Sequence, residues 1–205
     1  MHERAVVLIV DDDEAVRDSL SWLMTSVGLT AHSFASADEL LAIKLDEYCG
    51  CMLLDIRMPG MSGLELQALL HQQGISLPII MISGHADVPM AVRALKAGAF
   101  DFIEKPFNDQ ALLDIVQRAI ETDRHQRDEL GRLSEWRERM DSLTPREREV
   151  MREVVAGSPN KVIATRLGVS LKTVESHRAR VMEKLEAGSV SQLVRMCLEL
   201  DKDSG

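Results

Sequence analysis

Aromatic residues are scarce in this 205-residue chain, with two Trp, one Tyr and four Phe, so Leu, Val, Ile, Ala and 11 Met must fill its interior. Cysteine is scarcer still. Cys49, Cys51 and Cys197 cannot close an even disulfide framework, and Cys49-x-Cys51 has no second ligand pair nearby. That argues against structural zinc and predicts reduced, partly buried thiols. No apolar run approaches the roughly 18 residues a membrane-spanning helix requires. Met1 to Arg4 lead into the short run Ala5 to Val10 with no secretory h-region or cleavage site, so a soluble, cytoplasmic protein with no membrane partner is expected. With 45% hydrophobic and 28% charged residues the composition is that of a globular protein, and disorder throughout is excluded.

A net charge of -9 would argue against nucleic acid if it were evenly spread. It is not. Residues 1–121 hold 8 Lys and Arg against 18 Asp and Glu, residues 122–141 hold 5 against 6, and residues 142–205 hold 11 against 9. An acidic part followed by a mildly basic one predicts two modules with different partners.

In residues 1–121, five apolar runs of strand length alternate with helical periodicity: Ala5 to Val10, Thr30 to Phe34, Cys51 to Leu54, Pro78 to Ile82 and Phe100 to Ile103. That alternation predicts a parallel sheet covered on both faces, with ligands at the carboxyl ends of its strands. Residues 122–141 contain no proline and one glycine, and Leu130, Leu133, Trp136 (or Arg137) and Met140 recur at helical spacing. A helical linker is expected, either solvated or packed in a dimer or on a neighbouring domain. In residues 142–205, Thr144-Pro145-Arg146-Glu147, Ser158-Pro159, Ser170 and Ser189 with Gln192 mark four helix starts, and Gly168 one stop, giving a compact all-α module.

Chemistry gathers where the runs end. The first ends in Asp11-Asp12-Asp13-Glu14 and the third in Asp55. Like charges about 4 Å apart repel by roughly 4 kcal/mol at an effective dielectric near 20, so a positive group must join them. Mg²⁺, or Mn²⁺, suits such hard oxygen donors. The plainer alternative is that Asp12 to Glu14 only favour a helix N-terminus. Ser83 ends the fourth run and Lys105 follows the fifth. Together these groups suit phosphoryl transfer onto Asp55, with the metal, Lys105 and Ser83 holding phosphoryl oxygens.

Here the first 120 or so residues resemble a response-regulator receiver domain. The resemblance lies in Val10-Asp11-Asp12-Asp13, Asp55 to Gly63 (DIRMPGMSG), Ser83-Gly84-His85 and Lys105-Pro106-Phe107, and the stretch 84–107 is similar to the FixJ-type branch. It implies an α/β flavodoxin-like fold of strand order 2-1-3-4-5, an order for which a chemotaxis receiver is the general example. It further implies Asp55 as phosphoacceptor, a metal on Asp11, Asp12, Asp55 and the Arg57 carbonyl, a cis Lys105-Pro106 bond, Ser83 and Phe102 as switch residues, and a sensor histidine kinase as donor. The protein would be a regulator and not an enzyme, apart from Mg-dependent transfer to its own Asp55.

The stretch Leu143 to Leu193 resembles the LuxR/FixJ helix-turn-helix DNA-binding domain, through Leu143 to Glu147, Asn160 to Ala164, Thr173 to His177 and Lys184-Leu185. The expected domains are therefore a receiver at 1–121, a helical linker at 122–141 and a DNA-binding domain at 142–205. By that resemblance Glu175, Ser176 and Ala179 read bases, while Lys161, Lys172, Thr173, His177, Arg178 and Arg180 mostly hold phosphates. His177 is equally well explained as a buried, structural histidine. So small a positive excess predicts weak binding by one copy and a homodimer on two half-sites of promoter DNA, while dimerisation on phosphorylation and RNA polymerase as a further partner are what the resemblance implies. Two rivals remain: a phosphatase of haloacid-dehalogenase type, with Asp11 as nucleophile and Asp13 as acid/base, and a receiver whose helical module binds protein.

Overall fold

The computed structural model describes residues 5–84 and 88–202, so His85, quoted above, lies outside the described residues. The chain divides into two compact units, Met1–Arg127 and Asp128–Gly205. No helix among the described residues is long and apolar enough to cross a membrane.

The N-terminal unit is a five-stranded sheet of β1 (Val6–Val10), β2 (Thr30–Phe34), β3 (Gly50–Asp55), β4 (Ile79–Ser83) and β5 (Asp101–Glu104). Every pairing is parallel and the order is β2-β1-β3-β4-β5, as expected. Helices α1 (Glu14–Ser26), α2 (Ala37–Leu41), α3 (Gly63–Gln72), α4 (Val88–Lys96) and α5 (Asp109–Asp141) follow the successive strands. Alternation along the strands sends Leu8, Met52, Leu54 and Met81 to one apolar layer and Val7, Ile9, Cys51, Leu53, Ile80 and Ile82 to the other. Both faces are thus sealed, which explains why the strands read as near-continuous apolar runs. The three thiols are free, and burial pushes Cys51 up to about 12, which makes it unreactive.

Helix α5 is one continuous element of 33 residues, so the linker extends the last helix of the N-terminal unit. Leu112, Val116, Ala119 and Ile120 of this helix are buried beneath β1, β3 and β4. On the same stripe lies Asp123, with 0% of its surface exposed. Its Oδ2 accepts the Gly50 N–H at 2.8 Å and Arg127 Nε at 2.9 Å, while Arg127 Nη2 donates to the Tyr48 carbonyl. Gly50 has φ +143°, and a Cβ there would lie 2.0 Å from the Val6 carbonyl oxygen, so only glycine fits. The compact unit therefore runs through Arg127, six residues past the expected boundary at 121.

In the C-terminal unit, α6 (Pro145–Val155), α7 (Asn160–Leu167), α8 (Leu171–Lys184) and α9 (Val190–Lys202) surround a core of Leu143, Val150, Val154, Ile163, Val174, Val181, Leu185 and Leu193. Leu133, from the end of α5, is buried, and Trp136 and Met140 pack against that core. Trp136 and Met140 are thus used within their own unit, and of the four apolar linker residues only Leu130 is exposed. Thr144 and Glu147 form the expected capping box, with Pro145 in the first turn. Gly168 closes α7 in the left-handed region at φ +65°, and Ser170 caps α8. The helix start at Ser158-Pro159 is found as expected, with Pro159 the N-cap of α7, while the Ser158 hydroxyl donates to Glu153 at 2.7 Å.

Glu147 also anchors the unit electrostatically. Lys184 Nζ donates to its Oε2 at 2.7 Å, and the Thr144 N–H donates to the same oxygen at 2.9 Å. These bonds hold the carboxyl at about 2, well below its ordinary 4.5. A lowered pKa gives stability that is complete above pH 4.5 and lost as the pH falls toward 2. We expect Glu147→Gln to lower the midpoint of thermal unfolding at neutral pH, with the deficit shrinking as pH falls through that window. Trp136 fluorescence reads the transition, and a pH-independent deficit would count against the pairing.

Candidate functional site

The carboxyl ends of β1 and β3 are adjacent, and they bring two buried carboxylates together. Lys105, just past β5, reaches between them: its Nζ is 2.6 Å from Asp11 Oδ2 and 2.8 Å from Asp55 Oδ1. The remaining oxygens take backbone donors, Asp13 N–H to Asp11 Oδ1 at 3.0 Å and Arg57 N–H to Asp55 Oδ2 at 2.6 Å. Every oxygen of the pair is engaged. The positive charge expected beside the acids is thus supplied, in this structure, by an ammonium.

Electrostatics agree with that placement. Burial raises the pKa of Asp11 above the ordinary carboxylate value, despite the opposing pull of Lys105. Burial alone would lower Lys105, but the hydrogen bonds and charges of Asp11 and Asp55 outweigh it and raise the ammonium. The Lys105-Pro106 bond is cis, as expected. Ser83 is buried at the end of β4, and Phe102 on β5 is half-buried against the layer that contains Met81 and Ala94.

The acidic run after β1 divides its labour. Asp11 enters the pocket, Asp12 is exposed, and Asp13 caps α1 by accepting the Ala15 and Val16 N–H groups. Asp12, which the resemblance implies as a metal ligand beside Asp11 and Asp55, is thus the exposed member of that acidic set. The donor chemistry still fits Mg²⁺ or Mn²⁺, because Asp11, Asp12, Asp55 and the Arg57 carbonyl are all hard oxygens beside one strand edge. As a capping residue, Asp13 is poorly placed for the acid/base role that a phosphatase reading requires.

Two supporting residues had no assigned role. Arg17 Nη1 donates to the Asp11 carbonyl at 2.7 Å, steadying the strand end. Gly63 lets α3 start directly over Asp55, since a Cβ there would lie 2.2 Å from the Asp55 carbonyl oxygen. Helix spacing held no signal for Arg17.

In the C-terminal unit, α8 exposes Lys172, Glu175, Ser176, Ala179 and Arg180, while α7 before it exposes Lys161. The three expected base-reading side chains therefore share an outward face. Thr173 is half-buried, its N–H on the Ser170 hydroxyl at 3.1 Å. His177 is half-buried, with Nδ1 fully enclosed and lacking a hydrogen-bond partner. Arg178 is half-buried too, its Nη1 donating to Asn160 Oδ1 at 2.9 Å.

A parallel α/β unit with paired acids and a lysine at its strand ends, linked by a helix to a helix-turn-helix, defines a class: a signal-receiving module joined to a DNA-binding one. Comparison with known proteins agrees. Residues 7–117 match the response regulator receiver domain, and residues 141–197 match the bacterial regulatory proteins of the luxR family. The response regulator protein TodT of Pseudomonas putida is 45% identical over 100% of this chain and 90% of its own length. The transcriptional regulatory protein FixJ of Rhizobium meliloti is 47% identical over 94% of each chain. Among solved structures, response regulator StyR superposes with a TM-score of 0.88 at 39% identity, covering 96% of this chain and 100% of its own. FIXJ-N superposes with a TM-score of 0.55 at 47% identity, covering 59% of this chain and 96% of its own. The chain belongs to the response-regulator family, in its FixJ-type branch with a LuxR-type DNA-binding domain, and is a two-component transcriptional regulator.

Proposed function

We propose that Asp55 accepts a phosphoryl group from a sensor histidine kinase and that the acyl phosphate drives dimerisation and sequence-specific binding to promoter DNA. The observation that carries this reading is the Lys105 ammonium bridging Asp11 and Asp55 at the carboxyl edge of the sheet. An Asp55 carboxylate oxygen attacks phosphorus, the phosphorus–nitrogen bond of the phosphohistidine breaks, and its electron pair leaves with the imidazole. Lys105 is placed to follow the charge from the carboxylate to the phosphoryl oxygens, and the buried Ser83 hydroxyl to hold another. Asp11, Asp12, Asp55 and the Arg57 carbonyl would hold Mg²⁺ or Mn²⁺, which supplies charge neutralisation at the phosphoryl oxygens when bound.

The product carries nearly two additional negative charges beside Ser83 and Lys105. In this reading Ser83 shifts toward a phosphoryl oxygen and Phe102 fills the space vacated. The surface of α4, β5 and α5 changes as a result. Val88, Val92 and Leu95 already expose an apolar stripe on α4 suited to a second copy of the chain. Reversing a 1:99 equilibrium takes about 5.5 kcal/mol, within reach of a few charge-assisted bonds plus dimerisation. Glu175, Ser176 and Ala179 would read bases, and Lys161, Lys172, Thr173, His177 and Arg180 would hold phosphates, in the cytoplasm where kinase and promoter meet. RNA polymerase is the partner through which bound protein would act.

Footprinting with and without a small phosphodonor and Mg²⁺ tests the whole. Protection that appears or tightens at least tenfold with the donor is expected; identical occupancy in both conditions would overturn the switch.

A further inference from the structure

Helix α8 carries Lys172, Arg178, Arg180 and Lys184, but only two of these four cations face outward. Lys184 is bound to Glu147 and the Ser142 carbonyl. Arg178 sits four residues after Val174, three before Val181 and seven before Leu185, all three of which are buried. At 3.6 residues per turn these positions form one stripe, so Arg178 occupies the core-facing side of the helix. Glu175, Ser176 and Ala179 lie on the other side. The guanidinium leans from that stripe to the side chain of Asn160, the first residue of α7, and its Nη1 donates to the amide oxygen.

We propose that Arg178 is a positioning residue for operator recognition: through Asn160 it sets the angle at which α8 presents Glu175, Ser176 and Ala179 to the bases. This replaces the phosphate contact that the resemblance implies for Arg178, and it rests on the DNA-binding reading above. The physical ground is the geometry of a helix-turn-helix. The angle between its helices decides which side chains reach the groove. Around the Gly168 turn, small apolar contacts hold α7 to α8, and the Arg178–Asn160 bond adds a directional one. A neutral partner such as Asn160 leaves the arginine its full charge, and the residue as a whole is only half-buried, which makes that charge tolerable. Base reading depends on placement to a fraction of an ångström, whereas phosphate binding by flexible lysines does not.

The two roles separate in solution. A phosphate contact contributes to counterion release, so its loss lowers the slope of log affinity against log salt by about one and leaves sequence preference unchanged. A positioning residue does the reverse. The experiment uses the full-length protein with a small phosphodonor and Mg²⁺, a duplex enriched from a randomised pool by the wild type, and a scrambled duplex of equal length. Arg178→Ala is expected to reduce discrimination between the two duplexes about tenfold with the salt slope unchanged. Asn160→Ala, which removes no charge, is expected to do the same, and the double variant to be no worse than either single one. Lys172→Ala on the exposed face is expected to lower the slope by about one with discrimination intact. A slope reduced by one in Arg178→Ala, or full discrimination in Asn160→Ala, would overturn the assignment, and the second variant keeps the test open should the first fail to fold. Failure of the wild type to enrich any duplex would take the DNA reading down with it, a pattern distinct from either.

Discussion

Asp55→Asn is expected to take up no phosphoryl group from a small phosphodonor with Mg²⁺, and to bind DNA identically with and without that donor. The amide has no carboxylate oxygen to attack phosphorus, while its carbonyl can still accept the Arg57 N–H that Asp55 Oδ2 accepts at 2.6 Å. The fold should survive, because Asn is close in volume and Lys105 keeps Asp11 as a partner at 2.6 Å. The effect is therefore loss of labelling to background, read by mobility shift of the acyl phosphate and by mass. Full labelling of the variant would move the acceptor elsewhere, with Asp11 the first alternative because it is the other buried acid on Lys105.

The second large effect is on stability. Asp123→Ala is expected to destabilise the N-terminal unit by about 3 kcal/mol, a substantial part of the 5 to 15 kcal/mol a native domain has. The change strands the buried Gly50 N–H and takes from Arg127 the carboxylate it holds at 2.9 Å. Arg127 is one-third exposed and can turn to water, which limits the loss on its side. Asp123→Asn, which keeps an acceptor for Gly50, should cost less. Urea unfolding at neutral pH measures both, and a deficit below about 0.5 kcal/mol in the alanine variant would mean that the carboxylate contributes little.

These two sites mark what could and could not be read from the amino-acid order. The geometry of the paired-acid pocket was legible because its members sit where apolar strands stop. In a parallel sheet those ends are neighbours, so chain position translates directly into proximity. Asp11, Asp55, Ser83 and Lys105 all follow that rule. Asp12 follows the same strand end but is exposed, a difference in burial that strand position alone does not show. The caps at Thr144 and Ser170 were legible for a similar reason, being local, whereas Ser158 found a partner in Glu153 that no capping pattern shows.

Asp123 and Arg178 share a feature that a count of charge by segment does not show. Asp123 follows Leu112, Val116 and Ala119 at helical spacing, and Arg178 interrupts Val174, Val181 and Leu185. A charged side chain on an apolar stripe signals a buried polar partner elsewhere. The partner itself, a strand N–H 73 residues away in one case and an amide on the preceding helix in the other, carries no local mark.

Helix α5 passes without interruption from the N-terminal unit into the C-terminal one, with Asp123 and Arg127 fixed on one side and Leu133 and Trp136 on the other. A helix converts length into rotation: one residue inserted between these anchors turns everything after it by about 100° and advances it about 1.5 Å, while seven bring it nearly back to phase. The number of residues between Arg127 and Trp136 is therefore quantised within this helix: a change of seven keeps the two stripes along it in phase, and a change of one does not.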